Sequence, residues 1–143
     1  MKYIIPGDPV PLLRARYAHG QRPWDSQKQI KASTAIQIAT QHGERPVYNG
    51  PLELNITFFF AIPSIPLKGC KPDRLKTIVF KRDKMVGQPH IFKPDLSNLI
   101  KFIEDIAEKI IYGNDCTIAS IVARKVYAYE PRTEFTITEM HSD

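Results

Sequence analysis

The densest group of chemically active side chains lies in residues 93–101, Lys-Pro-Asp-Leu-Ser-Asn-Leu-Ile-Lys, and Asn114-Asp115 follow further along the chain. Hard divalent ions such as Mg²⁺ bind carboxylate and amide oxygens, usually one or two protein carboxylates together with waters and a substrate phosphate. If Asp95 and Asp115 meet in the fold, they can form such a site. The group therefore predicts metal-assisted hydrolysis of phosphodiester bonds, in which the ion activates water and offsets charge on the reacting oxygens.

Lys101 lies four residues after Ser97 and three after Asn98, so a helix places these side chains on one side. There its ammonium group can reach the phosphate or the leaving oxygen. The same residue types also have an ordinary structural explanation. An Asp before a helix is commonly an N-cap, an Asn-Asp pair after a glycine commonly forms a turn, and a lysine on a polar helix face is commonly solvated. Residue types alone leave both interpretations open.

The elements around this group must bring its two halves together. Pro94 favours an extended conformation at Lys93, so we expect Asp95 to leave a strand end and enter a helix N-terminus. Asp115 then reaches Asp95 only if the chain after Tyr112 folds back as a strand beside Lys93. The spacing permits this arrangement without requiring it.

The rest of the chain alternates between helix and strand patterns. In order, the predicted elements are a strand at 2–5, a helix capped by Asp25 or Ser26 that runs to about Gln41, a strand from Pro51, and a long connection at 63–90 with a short helix near 73–81. A helix at 97–111 follows and ends with Gly113 in a left-handed conformation. The last elements are strands at 117–129 and 133–140, joined as a hairpin. We therefore expect one α/β (α+β) domain over residues 1–143, with a mixed sheet of about four strands and two main helices packed on it.

The charge is divided along the chain. The net charge is +5, with +8 in residues 1–92 and −3 in residues 93–143. Between Lys68 and Lys84, seven basic side chains accompany two acidic ones, in a connection that we expect to be flexible. This charge favours an anionic partner such as nucleic acid, although a solvated surface also accounts for it.

Several classes of protein are excluded. The two cysteines are too few for a disulfide framework or a cysteine-based zinc site, and the N-terminus leads into no signal-type apolar run. The longest apolar stretch, residues 58–62, is far shorter than the roughly 20 residues that a membrane-spanning helix needs. We therefore expect a cytoplasmic protein without a membrane partner.

The string Lys93-Pro94-Asp95-x-x-Asn98-Leu99-x-Lys101, with Asp105, Ile111-Tyr112 and Asp115 after it, resembles the RusA family of Holliday-junction resolvases, which are often encoded by phages. The opening segment Pro6-Gly7-Asp8-Pro9-Val10-Pro11, with Arg14-x-Arg16 and Tyr17, is similar to the start of that family. The resemblance implies a homodimeric endonuclease that uses Mg²⁺ or Mn²⁺. It implies paired, symmetric nicks in four-way or branched DNA, in recombination and repair. A two-fold dimer suits a two-fold substrate.

Matched by position, the resemblance implies roles for individual residues. Asp95, Lys101 and Asp115 would be catalytic, with Asp95 and Asp115 as metal ligands and Ser97 and Asn114 as further oxygen ligands. Asn98 and Asp105 would support them, Asp105 from roughly 12 Å along the helix axis beyond Ser97. Phosphate contacts would come from Arg14, Arg16, Lys68, Lys71, Arg74, Lys76 and Lys93. Trp24 would either pack near the core or stack on an unpaired base.

Two positions differ from the usual pattern of that family. Where that family usually has Asp-x-Asp-Asn, this chain has Asp95-Leu96-Ser97-Asn98, and where the family has Asp-Asp, this chain has Asn114-Asp115. The site therefore loses up to two negative charges, which weakens its hold on a divalent ion. A second hypothesis is accordingly a catalytically weakened or inactive branched-DNA-binding protein of the same family. A third is a protein-interaction domain with a basic surface.

Overall fold

The computed structural model describes residues 1–14, 18–63 and 71–141. In chain order the elements are β1 (Lys2–Pro6), α1 (Lys28–His42), β2 (Leu52–Ala61), α2 (Pro72–Met85), α3 (Leu96–Ala107), a short 3₁₀ helix (Asp115–Thr117), β3 (Ile118–Ala128) and β4 (Arg132–Glu139). The four strands form one mixed sheet, α1 contacts β1 and α3, and α3 contacts β3. The predicted fold class is therefore confirmed. No helix in the described part of the chain is long and apolar enough to cross a membrane.

The strand order is β1-β4-β2-β3. β4 is antiparallel to both β1 and β2, whereas β2 and β3 are parallel. The predicted hairpin of the last two strands is therefore wrong, because β2 lies between them and residues 129–131 carry the chain across the end of β2. Alternation of side chains indicates a strand, but long-range packing chooses its partner.

The core lies between β2 and the apolar face of α3. Alternate residues of β2 are buried, as their period of two predicts: Leu52, Leu54, Ile56 and Phe58. On α3 the buried residues recur at three-and-four spacing: Leu99, Phe102, Ile103 and Ile106. This packing turns the polar face of α3, with Ser97 and Lys101, toward solvent.

α3 ends at Ala107, four residues before the end that its apolar pattern predicts. The chain turns at Lys109, which adopts the left-handed conformation (φ 70°), so the prediction that Gly113 does so is wrong. The Tyr112 hydroxyl donates to the Glu104 carbonyl oxygen at 2.7 Å, and the Lys109 N–H donates to the Tyr112 carbonyl at 2.6 Å. Tyr112 thus folds back on the last turn, and this tertiary contact ends the helix.

The other two helices also differ from prediction at their ends. α1 begins at Lys28 and its N-cap is Gln27, so the prediction of Asp25 or Ser26 as the cap is wrong. The Asp25 carboxylate accepts instead from the Gln27 N–H at 2.8 Å. α2 extends beyond the predicted residues 73–81 at both ends and has proline at its first position, where the missing N–H costs nothing.

Candidate active site

Asp95 is the N-cap residue of α3, with extended backbone (φ −68°, ψ 140°), and its carboxylate makes no capping hydrogen bond. Its carbonyl oxygen accepts from the N–H groups of Asn98 and Leu99, both at 3.2 Å. The exposed side chain lines an open groove of about 240 Å³ together with Lys93 and Asn98. The first turn is therefore closed by the backbone, and the carboxylate is available to a ligand in the groove.

The other wall of the groove is the N-terminal segment 11–13. The Leu12 N–H donates to the Asn98 carbonyl at 2.9 Å, which ties this segment to the first turn of α3. Gln27, which is only 7% exposed, accepts from the Leu13 N–H at 2.9 Å and donates to the Pro11 carbonyl at 2.8 Å. Because Arg14 follows directly and is exposed, this clamp places a basic residue beside the groove of Asp95.

The segment that leads into Asp95 is held from β3. The Lys125 ammonium donates to the carbonyl oxygens of Phe92 and Pro94, each at 2.6 Å. The predicted strand before Asp95 is absent; residues 92–94 form a bend, and the Lys93-Pro94 peptide bond is cis. The chain after Tyr112 does return as a strand, but the residue that reaches this segment is Lys125.

A second polar group lies beside the third turn of α3. Burial raises the pKa of the Glu104 carboxyl, the charge of Asp115 raises it further, and Lys101 lowers it. Burial also raises the pKa of Tyr112, with added contributions from nearby carboxylates, chiefly Glu104 and Asp115. The fold therefore brings Lys101, Glu104 and Asp115 together. Asp95 precedes Glu104 by nine residues, about 13 Å of helix rise, so the two groups lie along α3 with Lys101 between them.

Asp105 lies on another side of α3. Its carboxylate is 3.6 Å from the ammonium of Lys31 on α1, and Lys31 also pairs with Asp25 at 2.7 Å. This pairing lowers the pKa of Asp25 and raises that of Lys31. Asp105 thus has a partner on α1, away from the group formed by Lys101 and Asp115.

The two positions that lack the expected acids have different surroundings. Ser97 is exposed in the first turn of α3, one helical turn before Lys101. Asn114 is the N-cap of the 3₁₀ helix, and its side-chain oxygen accepts from the Cys116 N–H at 3.0 Å. Asn114 therefore has a structural role that fixes Asp115, the next residue, at the start of that helix.

The predicted phosphate-binding residues are only partly within the described structure. Arg16 and Lys68 lie outside the described residues. Lys71, Arg74 and Lys76 are exposed at the start of α2, and Lys93 is exposed in the groove of Asp95. Trp24 is 44% exposed and is not a core residue. After α2, Gly87 donates to the Tyr127 carbonyl at 2.9 Å, so α2 attaches to the same half of β3 that holds the segment before Asp95.

Three residues of the site escaped the sequence analysis. Glu104 carried a signal, because it lies three residues after Lys101 and seven after Ser97, on the same helical face. Gln27 and Lys125 carried none, because each acts on backbone groups far away in the chain.

The donor set can be compared with the needs of a divalent ion. Among residues 1–14, 18–63 and 71–141, no three His, Cys, Asp or Glu side chains are grouped so that they could hold a metal by themselves. Mg²⁺ is usually bound by one or two carboxylates together with waters and substrate phosphates. The carboxylates along α3 and the Asn98 amide have this oxygen chemistry. The residues present therefore fit a site that substrate phosphates complete.

Comparisons with known proteins agree with this chemistry. The family model described as Endodeoxyribonuclease RusA matches residues 6–138. The chain is 27% identical over 146 residues to Uncharacterized protein YqaN of Bacillus subtilis (strain 168), an alignment that covers 98% of the chain and 96% of that relative. It is 33% identical over 93 residues to Crossover junction endodeoxyribonuclease rusA of Lactococcus phage r1t, covering 64% of the chain and 57% of the phage protein.

Proposed function

The chain belongs to the endodeoxyribonuclease RusA family, and we therefore propose that it hydrolyses phosphodiester bonds in branched DNA with Mg²⁺ or Mn²⁺. It would act as a homodimer that makes paired nicks in a four-way junction. The name of the phage relative, a crossover junction endodeoxyribonuclease, supports this substrate. In the cell such an activity would serve recombination and repair. The observation that carries the proposal is the exposed, uncapped carboxylate of Asp95 in a groove that also contains Lys93.

We assign divalent-ion binding to the carboxylates of Asp95 and Asp115, with Ser97 and Asn114 as weaker oxygen donors beside each. Because Asp115 lies beside Glu104, about 13 Å of helix rise from Asp95, the two carboxylates would act at separate positions along α3 and would not share one ion. When bound, a divalent ion supplies Lewis-acid chemistry to phosphodiester hydrolysis. The repulsion that Asp115 exerts on Glu104 supports cation binding there, because a bound cation would relieve it.

Lys101 is the proposed electrostatic catalyst. It is exposed between Asp95 and Glu104 on the polar face of α3, and its charge is felt by Glu104. An ammonium group in this position stabilises negative charge on the phosphate or on the leaving oxygen. Glu104 lies three residues further along the same face, the spacing at which side chains of a helix are neighbours.

Basic residues around the groove bind and orient the DNA strand. Arg14 is placed by the Gln27 clamp, and Lys93 lies next to Asp95. Arg16, Lys68, Lys71, Arg74 and Lys76 would extend the phosphate contacts. These contacts fix the position of the duplex without reading its sequence, which suits an enzyme selective for DNA structure.

A second candidate function is binding of branched DNA without cleavage. It is favoured by Ser97 and Asn114, which replace expected acids, and by the Asn114 side-chain oxygen already serving as a helix cap. Such a protein would bind a four-way junction but nick it slowly or not at all.

The experiment that tests the proposal is incubation of the purified chain with a synthetic four-way junction and Mg²⁺ or Mn²⁺. We expect symmetric nicks, and a loss of at least about 100-fold in rate for Asp95→Asn. Glu139→Gln, at the exposed end of β4, is the matched control and should retain the wild-type rate.

The two candidate functions give different results. Binding without nicks, with activity appearing in Ser97→Asp, would favour the binding protein. Failure to bind branched DNA in preference to linear duplex would exclude both functions.

A further inference from the structure

Lys125 holds the backbone on both sides of Lys93. Its ammonium group donates to the Phe92 and Pro94 carbonyl oxygens, each at 2.6 Å, so the second of these bonds lies immediately before Asp95. Hydrogen bonds from a charged donor are short and about twice as strong as neutral ones. Two of the three ammonium N–H donors are therefore used on the segment that delivers Asp95 to the groove.

The main chain of Lys125 binds the same segment. Its carbonyl oxygen accepts from the His90 N–H at 3.0 Å. The His90 ring stacks on Phe60 with centroids 4.0 Å apart, and the Lys125 ammonium lies 5.8 Å from the centre of the Phe60 ring. One residue of β3 thus anchors both ends of segment 90–94, and its ammonium group lies near the Phe60 ring of this aromatic pair.

Within the described part of the chain, no capping hydrogen bond or ion pair fixes the direction of the Asp95 carboxylate. The orientation of the side chain therefore follows from the backbone of Pro94 and Asp95. A displacement of about 1 Å in a reacting group can cost about 100-fold in rate. The position of this backbone therefore matters more here than at an ordinary helix start.

We propose that Lys125 is a positioning residue for Asp95, holding the segment before α3 so that the Asp95 carboxylate is aimed at the divalent ion and the DNA strand. This inference rests on the proposed function, and it assigns Lys125 no contact with the reacting phosphate. A lysine that served only the stability of the sheet would affect the whole domain, whereas a positioning residue affects Asp95 and its ligand.

The test compares Lys125→Met, which removes the donors, with Lys125→Arg, which keeps a cation with several donors. Arg124→Met is the matched control, because it removes a positive charge from the neighbouring, exposed position of β3. Three quantities are measured: hydrogen exchange of the amides in residues 91–99, the affinity for Mn²⁺ alone by calorimetry, and kcat and KM for a four-way junction.

For Lys125→Met we expect faster exchange confined to residues 91–99, a loss of about 10-fold in Mn²⁺ affinity, and a fall in kcat of about 10- to 100-fold with KM little changed. Lys125→Arg should recover most of the loss, and Arg124→Met should match wild type. Should Lys125→Met fail to fold, Lys125→Gln replaces it, since it keeps part of the stem and removes the charge, leaving a shorter, neutral amide group.

Equal behaviour of the Lys125 and Arg124 variants would overturn the inference, as would exchange that rises uniformly over the whole domain. The proposed function is judged separately. If wild type does not nick branched DNA, that function fails, while the Mn²⁺ and exchange measurements still decide whether Lys125 positions Asp95.

Discussion

Asp115 and Glu104 are eleven residues apart in the chain, and the fold brings their carboxylates close enough for the charge of Asp115 to raise the pKa of Glu104. Burial is the larger cause of this shift, and Lys101 opposes it. The pair forms because the chain turns back at Lys109 and Tyr112 instead of continuing α3. Two like charges therefore lie beside one lysine. The repulsion from Asp115 disfavours the ionised form of Glu104 when no cation is bound.

Replacing Glu104 should stabilise the metal-free protein. Because the folded state holds the pKa of Glu104 above its ordinary value of 4.5, it binds more protons than the unfolded state, and stability falls as pH rises through the window above 4.5. We expect Glu104→Gln to unfold at a higher temperature than wild type at neutral pH in chelator, with the difference vanishing as pH falls below that value. Thermal scans over this pH range measure it. A similar gain in Glu139→Gln would show that the effect does not depend on the surroundings of Glu104.

Ser97→Asp should strengthen the site and the helix together. Position 97 is the second residue of α3, where a carboxylate interacts favourably with the helix dipole by about 0.5 kcal/mol. The added carboxylate also supplies the charged oxygen ligand that the family usually has at this position and that Ser97 lacks. We expect higher Mn²⁺ affinity by calorimetry and faster nicking than in wild type. Ser97→Asn, which adds an amide without charge, is the control and should leave the Mn²⁺ affinity almost unchanged.

Gln27→Ala should loosen the wall of the groove that leads to Arg14. The change removes the partners of the Leu13 N–H and the Pro11 carbonyl, and leaving such groups unpaired costs about 2 kcal/mol. We expect lower stability in urea unfolding and weaker junction binding. Gln29→Ala, at an exposed position of α1, is the matched control. If Gln27→Ala binds the junction with wild-type affinity, the clamp does not contribute to DNA binding.

The exposed basic residues of α2 should contribute to DNA affinity through counterion release. Each phosphate contact contributes about 0.9 to the slope of log affinity against log salt concentration. Replacing Arg74 and Lys76 by Gln should therefore reduce the slope by about 1.8 and weaken junction and linear duplex alike. Fluorescence anisotropy at several salt concentrations measures it. An unchanged slope would show that α2 does not contact phosphates, and Lys109→Gln serves as the single-charge control.

The sequence alone determined those elements that are predicted by the pattern of apolar residues within one segment of the chain. The alternation of apolar residues in β2 and their three-and-four spacing in α3 each predict one buried face. In the structure, the predicted face of each element is buried. The string from Lys93 to Lys101, together with the opening segment from Pro6, also indicated the family, because the residue types and spacing of each are read directly along the chain.

Only the tertiary structure decided which distant residues meet. It separated β3 from β4 by inserting β2, ended α3 early through the Tyr112 hydroxyl, and paired Asp105 with Lys31. It also placed Lys125 on the backbone before Asp95 and Asp115 beside Glu104. These contacts arise from packing between segments far apart in the chain, and periodicity within one segment carries no information about them.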